Sequence, residues 1–275
     1  MNLVDPFQVV KNFDGGGLGE LLHCRDARGV DFAVKLPKDR SLESQRLIDD
    51  EERRFIRHQG QFVVRYYGQV RHQDGRRGFA MELMAGSLSG LVSQRGALDA
   101  QKALGYFQQV VSGLEEVHAS APGAFHGDIK LANILYRVGA AKLADFGLAR
   151  GGFGQTRMLG PHLGGTPGYF PPERLASQRG DVYSAGVLLW ALLAGREPHP
   201  EHGPNVTLML EPTLARLVNG MLEREPQRRL TIYQVKQMLP AAMAANAVKE
   251  DGVPGWLVAG FGVLALTLLM GAKGK

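Results

Sequence analysis

The sequence predicts an α+β fold in two lobes, followed by one helix that spans a membrane. Up to about residue 84 the chain holds short β-rich runs, such as 32–35 and 62–67. Beyond that point apolar residues recur at helical spacing, as in 100–118 and 182–194. A third observation is the stretch 252–272, which contains no charged residue. We expect a strand-rich lobe over 1–84, a helical lobe over 85–240, a linker over 241–252 and a transmembrane helix over 253–272.

Composition places the chain among ordinary globular proteins and excludes several classes. Its 275 residues are 44% hydrophobic and 21% charged, which is enough apolar content for a sizeable core. The net charge of +5 is mild, and Lys and Arg form no run typical of a nucleic-acid-binding stripe, so we expect no nucleic-acid partner. The single cysteine, Cys24, cannot form an internal disulfide, which suits a reducing compartment.

The uncharged C-terminal stretch has the length and the apolar character of a membrane span. About twenty residues at 1.5 Å rise per residue cover roughly 30 Å, the thickness of a bilayer's hydrocarbon layer. Trp256 lies where an interfacial aromatic residue belongs, and Lys273 and Lys275 follow the far end. A buried helix is the alternative, but such a helix normally alternates apolar with polar positions. We expect a single-pass C-terminal anchor, with everything that precedes it in the cytoplasm.

Two small residues in this stretch, Gly255 and Ala259, are four positions apart. That spacing lets transmembrane helices pack closely, although it also arises by chance. A homodimer is therefore an expectation that depends on the anchor.

The most informative segment is 126–135, with the sequence HGDIKLANIL, followed a short strand later by Asp-Phe-Gly at 145–147. Together they supply one candidate base, one cation and two oxygen donors of the kind that Mg²⁺ prefers: Asp128, Lys130, Asn133 and Asp145. This set of groups is suited to a triphosphate that is handled with magnesium. The segment therefore indicates phosphoryl transfer.

Taken in order along the chain, the motifs resemble those of the Ser/Thr protein kinase family from about residue 7 to residue 239. They are a glycine-rich run at 13–21, Ala-Val-Lys at 33–35, the two segments just described, and Gly-Thr-Pro-Gly-Tyr-Phe-Pro-Pro-Glu at 165–173. The resemblance implies a bilobal protein-kinase-like fold. It also implies that ATP and Mg²⁺ are bound, and that the partners are protein substrates with Ser or Thr acceptors.

In the first lobe the resemblance assigns three residues of the glycine-rich run to the nucleotide. Gly16, Gly19 and Leu21 match positions that cover ATP, where absent side chains let backbone N–H groups approach the phosphates. The family's first glycine is replaced here by Asp14, which brings negative charge near phosphate.

The resemblance also implies that Lys35 contacts the α and β phosphates of ATP and pairs with a glutamate on the following helix. Counting back from the run 63–67 makes Glu51 the expected partner, and Glu52 is the alternative.

The segment Met-Glu-Leu-Met at 81–84 resembles the hinge between the two lobes. The resemblance implies that backbone groups of Glu82 and Met84 bind the adenine edge. Ala33 and Leu135 would then lie on the two faces of the adenine ring, although a simple core role explains these apolar residues equally well.

For the catalytic segment the resemblance implies individual roles. Asp128 would orient the attacking hydroxyl and accept its proton, and Lys130 would steady the γ-phosphate. Asn133 and Asp145 would hold Mg²⁺. The family usually has arginine where this chain has Gly127. That arginine commonly binds a phosphorylated loop residue, so we expect a catalytic loop that works without such a phosphate.

Small-molecule phosphotransferases of the antibiotic-modifying kind share the His-Gly-Asp start and are a competing interpretation. Lys130, two residues after the aspartate, and Thr166, in the segment 165–173, favour a Ser/Thr protein kinase instead. The resemblance further assigns Glu173, Arg229 and Asp181 to structural support. Three functions remain open: an active membrane-tethered Ser/Thr kinase, a kinase-like scaffold that binds nucleotide poorly, and a small-molecule kinase.

Overall fold

The computed structural model describes residues 7–13, 19–146, 157–158, 166–204 and 210–247. The first lobe contains an antiparallel sheet of five strands: β1 (Gln8–Phe13), β2 (Gly19–Arg25), β3 (Asp31–Pro37), β4 (Tyr66–Arg71) and β5 (Arg77–Glu82). They lie in the order β1-β2-β3-β5-β4. The central strand β3 is mostly buried, as expected for an apolar run between two neighbours. It therefore presents Ala33 and Lys35 from a fixed position.

One helix, α1 (Leu42–Arg57), packs against β3 and β5 of this sheet. The Ser41 hydroxyl accepts a hydrogen bond from the Ser44 N–H at 3.1 Å and begins the helix. The buried stripe of α1 includes Ile48 and Phe55, and the Phe55 ring lies 5.6 Å from the Phe79 ring. Glu51 lies on the same stripe, one turn after Ile48, and so faces the sheet.

In the described part of the second lobe the helices are α2 (Leu88–Arg95), α3 (Ala100–Ala119), α4 (Gln178–Ala194), α5 (Pro212–Met221) and α6 (Ile232–Ala245). The central helix is α4, against which α3, α5 and α6 all pack. It is buried along most of its length, which agrees with a sequence that is apolar on every side. The helix ends at Gly195, which has a φ of +68°.

A small antiparallel sheet between the lobes carries the catalytic segment. Its strands are β6 (Gly86–Ser87), β7 (Ile134–Arg137) and β8 (Ala140–Leu143), in that order, and a 3₁₀ turn over Leu131–Asn133 leads into β7. Further along the chain, β9 (Arg157–Met158) pairs with β10 (Leu175–Ala176). One hydrophobic core runs from the first lobe through this sheet into the helical lobe. The catalytic segment is therefore anchored from both sides.

The predicted β-rich run at 62–67 becomes regular strand only at Tyr66. Val63 makes an isolated bridge with Leu143, and the Val64 N–H donates to the Leu143 carbonyl at 2.9 Å. Both valines are buried. Their apolar character therefore reflects packing against β8, which sequence pattern alone does not distinguish from a place in the sheet.

The last described helix extends into the predicted linker, 241–252, which the sequence allows to be a short helix or a tether. Helix α6 continues through Pro240 to Ala245, so residues 241–245 are helical. The predicted transmembrane helix, 253–272, lies outside the described residues. Within the described part of the chain, no helix combines the length and the hydropathy that a membrane crossing requires.

Candidate active site

Lys35 and Glu51 form an ion pair between β3 and α1. Burial by itself would lower the pKa of Lys35, but the Glu51 and Asp145 carboxylates outweigh it and raise the pKa above its ordinary value. Lys35 is therefore a cation at neutral pH. The alternative partner, Glu52, points elsewhere, because it accepts hydrogen bonds from the Tyr66 hydroxyl at 2.6 Å and from Gln69 at 3.1 Å.

The loop that carries Asp128 is held by a buried carboxylate at the start of α4. Asp181 accepts hydrogen bonds from the His126 N–H at 2.7 Å and from the Gly127 N–H at 2.8 Å. The His118 ring lies 2.9 Å from the same carboxylate. A carboxylate that is 2% exposed needs several such partners, and here they fix the loop backbone.

Gly127 has a φ of +86°, in the left-handed region that favours glycine. The backbone conformation therefore explains why glycine, and not the family's arginine, occupies this position. Any L-residue here would carry strain that glycine avoids.

The Asp128 carboxylate is the centre of a polar cluster. Asn133 Nδ2 donates to Asp128 Oδ2 at 2.9 Å, and Lys130 Nζ lies 2.9 Å from the same oxygen. Lys130 also donates to the Thr166 hydroxyl at 2.8 Å, and that hydroxyl lies 3.4 Å from Asp128 Oδ1. The candidate base, the candidate phosphate-binding cation and the segment after residue 165 therefore meet at one point.

Strand pairing brings Asn133 and Asp145 close together. Ile134 pairs with Leu143, and the Ala144 N–H donates to the Asn133 carbonyl at 2.9 Å. Asp145 follows directly, with a φ of +58°. Because Asn133 uses its Nδ2 on Asp128, its amide oxygen Oδ1 is the candidate metal-binding atom, together with the Asp145 carboxylate. An amide oxygen and a carboxylate are the hard donors that Mg²⁺ prefers, so these residues fit that ion.

Phe146, the next residue, is fully buried between two imidazole rings. The His126 ring centroid lies 4.6 Å from the Phe146 ring centroid, and the His58 ring stacks at 4.8 Å. Phe55 of α1 approaches the same ring at 6.3 Å. The position of Asp145 is thereby coupled to α1, which also carries Glu51.

The expected adenine-binding residues lie around the junction of the lobes. Ala33 pairs with Met81 across β3 and β5, and Leu135 lies in β7 and packs against the same hydrophobic core. The Glu82 N–H donates to the Arg65 carbonyl at 2.9 Å, so this N–H is not available to the adenine edge. Met84 is buried at the start of the second lobe.

Gly19 opens β2, where an added Cβ would lie 2.6 Å from the Leu36 carbonyl oxygen. Glycine is therefore required for close packing at this position. Leu21 pairs with Lys35 across β2 and β3, which places both beside the nucleotide region. Gly16 and Asp14 lie outside the described residues.

The supporting residues that the motifs indicated are in contact. Arg229 Nη1 and Nη2 donate to the two carboxylate oxygens of Glu173 at 2.8 and 2.9 Å. Arg229 is 1% exposed and also bonds three backbone carbonyls. This pair joins the end of the segment 166–173 to the loop before α6.

Several partners at the site were not predicted from the sequence. Glu197 accepts a hydrogen bond from the Tyr169 hydroxyl, which in turn accepts one from the Leu131 N–H at 3.4 Å. Lys142 lies 2.6 Å from the Glu82 carboxylate, whereas Glu82 was predicted to act only through its backbone. His118 was likewise missed as a partner of Asp181. None of these belongs to a motif, and each contact joins residues at least 28 positions apart.

The fold has two lobes, and the residues between them include the cations and oxygen donors that a nucleoside triphosphate with Mg²⁺ would need. A family model described as protein kinase domain matches residues 7–239. The chain belongs to the protein kinase domain family, whose substrate is ATP and whose usual cofactor is Mg²⁺.

Individual relatives are similar across most of this chain. The receptor-interacting serine/threonine-protein kinase 3 of Homo sapiens is 31% identical over 86% of the chain and 45% of its own length. The putative CBL-interacting protein kinase 13 of Oryza sativa subsp. japonica is 33% identical over 83% of the chain and 49% of its own length. The probable serine/threonine-protein kinase zyg-1 of Caenorhabditis elegans is 29% identical over 84% of the chain and 33% of its own length. The chain thus spans a third to a half of the length of these relatives.

Proposed function

We propose that this protein is a Ser/Thr protein kinase that transfers the γ-phosphate of ATP to Ser or Thr hydroxyls of proteins. The main support is the position of Lys130, whose Nζ lies 2.9 Å from the Asp128 carboxylate and 2.8 Å from the Thr166 hydroxyl. It joins the candidate base to the segment on which a peptide substrate would lie. The relatives named as serine/threonine-protein kinases support the choice of acceptor.

Each residue has a separate task in this proposal. Lys35, held by Glu51, binds the α and β phosphates, and Lys130 offsets the negative charge of the transferred phosphoryl group. Asp128 aligns the substrate hydroxyl and accepts its proton as the new O–P bond forms in line with the bond to ADP that breaks. Asn133 Oδ1 and the Asp145 carboxylate would hold Mg²⁺, which neutralises charge on the phosphate oxygens when it is bound.

A kinase-like scaffold is the second candidate, and Asp14 and Gly127 are the observations that favour it. Phosphoamino-acid analysis of an in vitro reaction with generic protein substrates separates the candidates. We expect phosphoserine or phosphothreonine in the substrate. A scaffold would yield no labelled protein, and a small-molecule kinase would label an added aminoglycoside but no protein.

We propose further that the catalytic loop needs no phosphate to become ordered. Asp181 holds the backbone amides of His126 and Gly127, and position 127 offers no guanidinium to a phosphorylated residue. Treatment of the purified protein with a phosphatase, followed by removal of the phosphatase, should leave the initial rate unchanged. A rate that falls and then recovers during incubation with ATP would contradict this proposal.

For localisation, we propose that residues 253–272 anchor the protein in a membrane with the kinase domain in the cytoplasm. The support is the absence of charge from 252 to 272. The chain should stay in the membrane fraction through a carbonate wash. Leu264→Arg with Leu268→Arg should release it, because charged residues at mid-membrane each cost about 3 kcal/mol. Recovery of the unaltered chain in the soluble fraction would remove the anchor.

The anchor proposal includes pairing of two copies through Gly255 and Ala259, whose support is their small-residue spacing. Gly255→Leu should then reduce crosslinking between copies in the membrane, whereas Val258→Leu should not. Equal crosslinking in both variants would reject this dimer.

A further inference from the structure

The turn that follows α4 carries three metal-ligating side chains on four consecutive residues. They are His199, Glu201 and His202, and all three are exposed. Their donor atoms lie within 4.8 Å of one another. The turn takes no part in the phosphoryl-transfer site described above.

The backbone holds these side chains together. The Gly203 N–H donates to the His199 carbonyl at 2.8 Å and closes the turn. Gly203 has a φ of +64°, which glycine adopts without strain. The His199 and His202 rings are stacked, with centroids 4.6 Å apart and planes 13° apart. Two imidazoles and one carboxylate therefore project from a short, closed segment.

We propose that this turn binds one divalent transition-metal ion, with Zn²⁺ as the reference ion. Imidazole nitrogen and carboxylate oxygen are the donors that zinc takes, whereas Mg²⁺ and Ca²⁺ prefer oxygen donors alone. With metal–ligand distances of about 2.1 Å, donors around one ion lie at most roughly 4.2 Å apart. Small side-chain rotations, which solvent exposure permits, bring the three donors within that limit.

Binding alters one contact in the turn. The Glu201 N–H donates to His199 Nδ1 at 3.2 Å. Coordination through that nitrogen exchanges this long hydrogen bond for a metal–ligand bond.

The turn also lies directly against the segment that precedes Tyr169. A Cβ at Gly168 would lie 3.1 Å from the His199 carbonyl oxygen and 3.0 Å from the Pro198 ring, so the backbones are in close contact. An ion that restricts the motion of the turn therefore also restricts the motion of the backbone around Gly168. We expect the midpoint of thermal unfolding to rise with zinc concentration, as for any ligand that binds the folded state.

The test is a zinc titration of the full-length chain, purified without a polyhistidine tag and kept in excess Mg²⁺ with a chromophoric zinc competitor. We expect one Zn²⁺ per chain. His199→Ala and His202→Ala should each weaken binding at least tenfold, and Glu201→Gln should weaken it less. His72→Ala, which removes an imidazole on the far lobe, is the matched control and should bind as the unaltered chain does.

A second measurement does not depend on the alanine variants. Zinc should protect His199 and His202 from modification by diethylpyrocarbonate, as mapped by mass spectrometry, and should leave His72 reactive. The proposal is overturned if the chain binds no zinc saturably under excess Mg²⁺. It is equally overturned if both alanine variants bind as tightly as the unaltered chain, or if zinc leaves both histidines reactive. None of these outcomes bears on the kinase proposal, which has its own assay.

Discussion

The side chain of Asp181 accepts a hydrogen bond from the backbone N–H of Gly127 at 2.8 Å, although the two residues are 54 positions apart. Gly127 has a φ of +86°, so the chain beyond this hydrogen-bonded amide turns in a direction that glycine adopts without strain. The buried aspartate and the left-handed glycine therefore form one unit. That unit presents Asp128, the next residue, to the cleft.

Gly127→Ala should lower the free energy of unfolding by about 1–2 kcal/mol, since a Cβ in the left-handed region is strained. It should also lower kcat, because relief of that strain displaces Asp128. Gly29, with a φ of +80° and open space around it, provides the control. Gly29→Ala should cost similar stability in chemical denaturation and leave kcat unchanged. An alanine at 127 that changes neither quantity would refute this description of the loop.

Glu51→Gln should lower kcat/KM for ATP at least about tenfold, because Lys35 loses the carboxylate that orients it. Glu52→Gln is the matched control on the neighbouring residue. It keeps an oxygen for the Tyr66 hydroxyl and should change kcat/KM less than about twofold. Initial rates at varied ATP measure both. Equal losses in the two variants would mean that the ion pair has no special role.

Glu173→Ala should destabilise the protein by about 3 kcal/mol or more, because it leaves the buried Arg229 guanidinium without its carboxylate. Replacing both residues by apolar ones, as Glu173→Leu with Arg229→Met, should cost less than the summed costs of Glu173→Leu alone and Arg229→Met alone. Denaturant unfolding of the double-mutant cycle gives these values. Strict additivity would indicate that the pair is energetically unimportant.

His58 predicts an acid-dependent loss of stability. Burial, with the neighbouring His126 and Arg57, lowers the pKa of His58 to about 4, and Asp181 acts weakly in the opposite direction. In the unfolded chain this histidine becomes protonated below about pH 6.5. The contribution of His58 to the free energy of unfolding is therefore fully present above pH 6.5. It decreases by roughly 2–3 kcal/mol as the pH falls towards 4.

His58→Leu should flatten that part of the stability curve while keeping an apolar contact with Phe146. His126, whose pKa is also lowered by burial, is present in both proteins, so the difference between them reports His58 together with its coupling to His126. Unfolding free energies at pH 4.5 and pH 7 measure the difference. An identical pH dependence in the two proteins would show that His58 is not the titrating group.

The catalytic segment could be predicted because its residues are local. Asp128 and Asn133 lie in one loop, and the hairpin of β7 and β8 leads on to Asp145, so the family resemblance could be carried onto each position directly. The pairing of Lys35 with Glu51 could be predicted only by counting along a helix. In the structure Glu51 contacts Lys35, because Glu51 lies on the face of α1 that packs on the sheet, whereas Glu52 contacts Tyr66.

Long-range partners without a motif could not be predicted. Glu197 reaches Tyr169 only because α4 ends at Gly195 and the chain turns back, which no spacing indicates. The two buried valines at 63 and 64 resembled a strand because burial against a second lobe and burial within a sheet select the same apolar residues.

The central claim is that Asp128 is the base of a phosphoryl transfer from ATP to a protein hydroxyl. The direct test compares the full-length chain with Asp128→Asn in the transfer of labelled phosphate from ATP to a Ser/Thr substrate. Asparagine keeps the shape and can still meet Asn133, so ATP affinity should change less than about twofold. We predict that kcat falls at least about 100-fold. Equal transfer by the two proteins would contradict the assignment.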